Sequence, residues 1–385
     1  MKNEQELMMS LLKLNYNNDI TLISDFNDEM LEKMLVFATH HSLAPLISNI
    51  LVNHHLIDKS NLKDTCKQIL LNSIFQYQKQ NLELIKIRNV FEENQIYFIP
   101  LKGSVLRDFY SEPWLRISCD IDILVRPQDL ERATNILIKY GYTFVEKGSH
   151  DVSFASENNV HLELHYDVIE KEYNIAKVSE VLENIWDYAF PKENCKYEHI
   201  LTNEMFYFNH IAHMAKHFVH GGCGIRPFLD LWILNQKMEF DNEHKKDLLK
   251  KGGILTFADS AEKLVEVWLT KGDYTQTIKD MEIYVFDGGV YGSLENQIAM
   301  NQAATGSKFK SLLSKIFLRY DIIKLYYPIL QKHKWLLPFF EIRRWCRLMF
   351  LKEHRDRSLN HMALNQNISD DSKSRAENLS KYLGI

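Results

Sequence analysis

A run that reads as a buried strand, "ISCDIDILV" at residues 117–125, carries two aspartates. Buried strands avoid carboxylates, because an ionised carboxylate without a partner is costly to desolvate. Side chains alternate faces along a strand, so Asp120 and Asp122 point the same way. Any fold built around this run must compensate two negative charges on one face, and a divalent cation is one way to do so. A second run, "VHLELHYDV" at 160–168, puts His161, Glu163 and His165 on one face and Leu162 and Leu164 on the other. If the two strands are neighbours, Asp120, Asp122 and Glu163 converge. Three hard carboxylate oxygens suit Mg²⁺ or Mn²⁺.

The surrounding texture predicts a small mixed α/β unit. Short β-branched or aromatic segments, "IYFIPLKG", "YTFVEK" and "DVSFASE", suit strands beside the two acidic runs. Between the strands, "RPQDLERATNILIKYGY" reads as a helix opened by Pro127 and closed by Gly141. Residues 1–90 show apolar positions at helical spacing, and so does the chain after 171, with a break at "DGGVYGS". The expected organisation is a helical lead at 1–90, an α+β core at 91–170, a helical region at 171–352 and a loosely held polar tail at 353–385. The 385 residues, 45% hydrophobic and 25% charged, suffice for such a multi-part globular chain.

Upstream of the acidic run, Gly103 and Ser104 lie where a strand ending near Leu101 meets the helix "SVLRDFY". Backbone N–H groups at a helix start, with a glycine allowing close approach, favour a phosphate. Lys102 is a second candidate phosphate contact, or else a solvated lysine at a strand end. Arg116 would hold a phosphate, pair with the carboxylates, or form a structural salt bridge. No Walker-type or dinucleotide-type glycine motif competes, and no kinase signature is present.

The order Gly103-Ser104, Asp120-Ile121-Asp122, then Leu162-Glu163-Leu164 resembles the polymerase-β-like nucleotidyltransferase superfamily. More narrowly, "LKG", the run from Arg116 to Val125, Gly141-Tyr142 and Glu163-x-His165 resemble the bacterial family of uncharacterised nucleotidyltransferases. The resemblance extends through "HIAHMAKH", "RPFLDLWIL" and "GGVYG" and covers most of the chain. It implies a polymerase-β-like core flanked by helices. It also implies metal-dependent transfer of a nucleoside monophosphate from an NTP, ATP being the expected one, to a hydroxyl acceptor with release of pyrophosphate. Asp120, Asp122 and Glu163 would be the metal-binding and catalytic carboxylates. Lys102, Gly103, Ser104 and Arg116 would hold the nucleotide. The acceptor is left open between a small molecule, an RNA end and a protein side chain. The rival reading is a catalytically silent nucleotide- or protein-binding module of the same fold.

In "NHIAHMAKHFVHGG", His210, His213, His217 and His220 share one helical face. His213 and His217 could contact nucleotide or acceptor, as could His165. At i, i+4 they could instead chelate zinc, although no H-E-x-x-H motif is present. Arg226 and Asp230 in "RPFLDL" either face the cleft or take part in ordinary interhelical ion pairs. Residues 308–357 carry thirteen Lys or Arg against four acids, interleaved with aromatics. That pattern fits RNA or another polyanion, or a helical domain with its lysines outward. The whole-chain charge of −5 selects no partner. Five scattered cysteines without a C-x-x-C pair, no signal-peptide pattern and no apolar run of about 18 residues point to a cytoplasmic protein without a membrane span.

Overall fold

The computed structural model describes residues 3–17, 26–168, 177–270, 272–305, 317–318, 320, 323–324, 327–350 and 363–384. At its centre five short strands form one sheet: β1 (Phe98–Pro100), β2 (Asp120–Val125), β3 (Thr143–Lys147), β4 (Asp151–Ala155) and β5 (His161–His165). Their order is β1-β2-β5-β4-β3. The pair β2 and β5 is parallel and the other pairs are antiparallel, so the sheet is mixed. The parallel register sets Asp120 opposite His161, Asp122 opposite Glu163 and Leu124 opposite His165.

Alternation then sorts the two faces. Ile121, Ile123, Val152, Phe154, Leu162 and Leu164 turn to one side, where they bury against two helices. One is α4 (Lys63–Glu93), which contributes Leu84, Ile87 and Phe91; the other is α6 (Leu130–Lys139), which contributes Ala133 and Leu137. Apolar burial on that side forces Asp120, Asp122 and Glu163 to the opposite face. The helix α6 starts after a 3₁₀ turn at Pro127–Asp129, and the chain leaves it through Gly141 at φ +90°, a conformation that favours glycine.

Other helices among the described residues include α1 (Asn3–Asn17), α2 (Asp28–His40), α3 (Ala44–Asn53), α5 (Gly103–Leu106), α7 (Val178–Leu182), α8 (Asn203–Val219), α9 (Arg226–Lys237), α10 (Asn242–Lys251), α11 (Leu255–Leu269), α12 (Gln276–Gly288), α13 (Leu294–Thr305), α14 (Leu337–Phe350) and α15 (Asp370–Leu383). A second and larger core draws on both sides of the sequence. Leu11 of α1, Met34 of α2 and Ile47 of α3 belong to the same buried cluster as Phe208 of α8, Phe228 of α9 and Leu264 of α11. The chain is thus an α+β protein in which a small mixed sheet carries helical regions before and after it.

Two local features depart from the sequence reading. Within the region expected to be helical, β6 (Ala189–Pro191) and β7 (His199–Leu201) form an antiparallel pair. Glu92 at the end of α4 accepts hydrogen bonds from the backbone N–H groups of Lys196, Tyr197 and Glu198, which ties this hairpin to the core. The expected loose tail is corrected over 370–383. There α15 forms, capped by Ser369, with Ala376, Leu379 and Leu383 buried. Three apolar residues spaced three and four apart give a narrow stripe that average polarity conceals. Of the basic stretch 308–357, residues 308–316, 319, 321–322, 325–326 and 351–357 lie outside the described residues. No helix among the described residues is long and apolar enough to cross a membrane.

Candidate active site

The carboxylate face of the sheet floors a cleft of about 890 Å³ whose opposite wall comes from α8 and α9. Asp122 is 3% exposed. Its Oδ1 accepts from Lys102 Nζ at 2.9 Å and from His165 Nε2 at 2.8 Å. His165 Nε2 also lies 3.5 Å from Glu163 Oε2, and His161 Nε2 lies 3.6 Å from Glu163 Oε1. Donor atoms of Asp122, Glu163 and His165 all fall within 4.8 Å of one another. Asp120 lies two residues earlier on the same strand face and also lines the cleft.

The electrostatics follow from burial and partners. Burial pushes the Asp120 carboxyl up, with repulsion from Asp122 and Glu163 adding to it, to about 6. Burial opposes ionisation of Asp122 too, but the Lys102 charge and the His165 hydrogen bond overcome it and hold Asp122 below the usual carboxylate range. The hydrogen bond from His165 lowers Glu163 against opposing burial. Burial likewise works against a charged His165, yet its bonds to Asp122 and Glu163 raise its pKa. Two carboxylates are therefore anionic and oriented, while the third carries charge that its neighbours do not fully balance.

Lys102 occupies the turn between β1 and α5 with φ 44° and ψ −117°, a left-handed conformation strained for a residue with a Cβ. The turn is held by the Leu101 N–H donating to the Asp122 carbonyl at 2.9 Å. Next to it, a Cβ on Gly103 would come within 2.6 Å of Arg116 Nη1 and 2.9 Å of Ser118 Cβ. The glycine makes room for that guanidinium. Ser104 is 2% exposed, and its hydroxyl has no hydrogen-bond partner among the described residues. Arg107 closes the turn from the other side, donating to the Gly103 carbonyl at 2.9 Å and to Ser118 Oγ at 3.1 Å.

Arg116 and Asp230 form a buried pair. Arg116 donates through Nε at 3.3 Å and Nη2 at 3.0 Å, and the Tyr110 hydroxyl adds a bond to Asp230 Oδ1 at 2.9 Å. The ion pair of Asp230 is thus with Arg116, a distant segment of the chain 114 residues away. Arg226 instead donates to the Ile117 carbonyl at 2.9 Å. Both arginines line the cleft, as does Asp230.

Three of the four histidines on α8 and its C-terminal end reach the cleft: His210, His213 and His217. His210 Nε2 donates to the Pro227 carbonyl at 2.9 Å, and His213 and His217 meet Nε2 to Nε2 at 3.1 Å. Burial, then the Lys102 charge, holds His213 well below its ordinary pKa, so it is a neutral imidazole. His220 bonds back to the Lys216 carbonyl at the end of α8. Among the described residues, the group with metal-ligating geometry is Asp122, Glu163 and His165. Sequence reasoning passes over His150 and Asp151, which also line the cleft, although Asp151 opens the strand-like run "DVSFASE" and His150 directly precedes it, which is a usable signal. The His150 ring stacks on His165 at 5.7 Å between centroids.

Residues 27–270 match the model of the family described as uncharacterised nucleotidyltransferase. No curated protein matches the chain.

Proposed function

The chain belongs to the uncharacterised nucleotidyltransferase family, and from that premise we propose that it moves a nucleoside monophosphate from an NTP to a hydroxyl acceptor and releases pyrophosphate. The observation that carries this reading is the convergence of Asp122, Glu163 and His165 within 4.8 Å, with Asp120 on the same face of the cleft floor. This donor set fits a divalent cation: two oriented carboxylates and a third with surplus charge, the first two held in place by His165. Mg²⁺ or Mn²⁺ is the expected ion, with Asp120, Asp122 and Glu163 as its holders. When bound, such an ion neutralises phosphate charge and lowers the pKa of a coordinated hydroxyl.

The chain's own groups supply the rest. His165 fixes the orientation of both Asp122 and Glu163 through its hydrogen bond and close approach. Glu163, half-buried and flanked by His161 and His165, is positioned to take the proton of the acceptor hydroxyl. Lys102 places positive charge beside the same carboxylates, where a polyphosphate must lie if its reacting phosphorus is to approach them. The neutral His213 imidazole faces the cleft without adding charge that would compete with a cation.

The test is incubation with labelled ATP and, in turn, the other three NTPs, with Mg²⁺ and a bacterial extract, followed by a search for labelled product. Label transfer by the parent protein and its loss in the folded Asp120→Asn/Asp122→Asn variant are the expected results. Magnesium-dependent ATP binding that survives in the double variant would remove these aspartates from the site. Binding without any transfer would leave a silent binding module.

A further inference from the structure

Guanidinium groups around the cleft have the opposite imbalance. Arg226, half-buried at the start of α9, and buried Arg116 line it, and buried Arg107 lies behind the turn before α5. Among the described residues only one carboxylate, Asp230, forms a salt bridge with any of them, and it is committed to Arg116. Arg107 bonds to a carbonyl and a hydroxyl. Arg226 bonds through Nη1 to the Ile117 carbonyl, and its buried Nε has no partner among the described residues. Burial, then repulsion from Arg116, holds the Arg226 pKa below its ordinary value, as expected for a cation short of counter-charge. A buried charge needs a partner, and the open space beside Arg226 is the cleft.

We propose that Arg226, backed by Arg116 and facing the carboxylate floor, is an anion subsite for a phosphate group of the substrate. The guanidinium is already oriented, because the Ile117 carbonyl holds one end and Ile117 lies just ahead of the strand bearing Asp120. A guanidinium presents a planar fork of donors that matches phosphate oxygens. Lys216 and His217 lie on the same wall and extend its polar character. The phosphate has two sources within the proposed transfer reaction, on which this inference rests: the polyphosphate of the donor NTP, or a phosphate carried by the acceptor.

The test is calorimetric titration of the full chain with sodium tripolyphosphate in EDTA, where no divalent ion can bridge the ligand to the carboxylates. Wild type should bind at low salt, Arg226→Ala roughly tenfold or more weakly, and Arg226→Lys between the two, as expected for a lost charge-assisted bond. Absent binding by wild type, or equal affinity in the folded Arg226→Ala protein, overturns the subsite. If Arg226→Ala does not fold, the wild type itself answers. Tripolyphosphate should slow modification of Arg226 by phenylglyoxal, read by peptide mass spectrometry, and an unchanged rate overturns the proposal. With a tripolyphosphate effect in hand, titration with MgATP separates the sources. A parallel loss in Arg226→Ala assigns the site to the donor, and unchanged MgATP affinity assigns it to a phosphorylated acceptor. Failure of MgATP binding in wild type would strike the transfer reading, whereas the EDTA titration reports on the arginine wall alone.

Discussion

Asp230→Asn should be among the most destabilising changes of a single atom type in this chain. The side chain is 1% exposed and accepts three hydrogen bonds, two from the Arg116 guanidinium and one from the Tyr110 hydroxyl. Asparagine keeps the shape but removes the charge, and one of its polar atoms becomes a donor facing donors. Arg116, only 7% exposed, then keeps a buried charge without a salt-bridge partner. Breaking one side of a buried pair costs about 3–5 kcal/mol. An unfolding entropy of about 2.1 cal/mol/K per residue, over the 385 residues, gives roughly 0.8 kcal/mol/K for one cooperative transition. The expected fall in Tm is therefore about 4–6 °C. Differential scanning calorimetry at pH 7.5 in EDTA measures it. The charge-free double variant Arg116→Met/Asp230→Leu should recover most of the loss, because replacing both members of a buried pair by apolar groups is often neutral. A Tm within about 1 °C of the parent for Asp230→Asn, or a double variant less stable than the single one, would refute the assignment of Asp230 as the counter-charge of Arg116.

Glu163→Gln should lower turnover by roughly 10²- to 10⁴-fold, the usual worth of a general base, with NTP affinity changed far less; near-normal turnover in steady-state assays would take Glu163 out of the chemistry. For Asp120 the folded pKa, about 6, lies above its ordinary 3.8. The folded chain holds that proton longer than the unfolded chain, so the destabilising contribution is absent below about pH 4, grows as pH rises to about 6, and is complete above it. In EDTA, Asp120→Asn should therefore raise stability at pH 7.5 by on the order of 3 kcal/mol and leave it nearly unchanged at pH 3.5; thermal melts showing the same effect at both pH values would contradict this. Leu379→Ala, at a fully buried position of α15, should cost about 2–5 kcal/mol by the usual large-to-small penalty. An unaltered melting curve would mean that this helix is not docked as described.

The parts of the site carried by periodicity are legible in the sequence. Asp120 and Asp122 fall on one face because β2 alternates, and Glu163 and His165 on one face because β5 does; their meeting needs only the guess that the two strands are neighbours. The helix α6 is readable from Pro127 and Gly141, which punctuate it. Contacts between distant segments are not readable. Nothing in the spacing of Arg116 and Asp230 announces that a separation of 114 residues closes to a hydrogen bond. Gly103 shows the same limit. A glycine at a helix start suggests a ligand, and only coordinates reveal that Arg116 and Ser118 lie against the space its Cβ would fill. The last helix escapes notice because three apolar residues in a polar stretch look like chance until α12 and α13 supply the surface they cover.

The ammonium of Lys102 at Asp122 bears on how the protein is made and stored. Small zinc domains collapse only when their ion arrives, and a chelator unmakes them. Here the chain brings its own cation to the most buried of its acidic side chains on the cleft floor, on a flexible four-carbon stem rooted in the strained turn before α5. The proposed metal site would then be built before any ion arrives, and loading would exchange one positive charge for another within a finished structure. On that proposal, chelation silences the molecule while leaving it folded, and restoring the ion revives it without refolding.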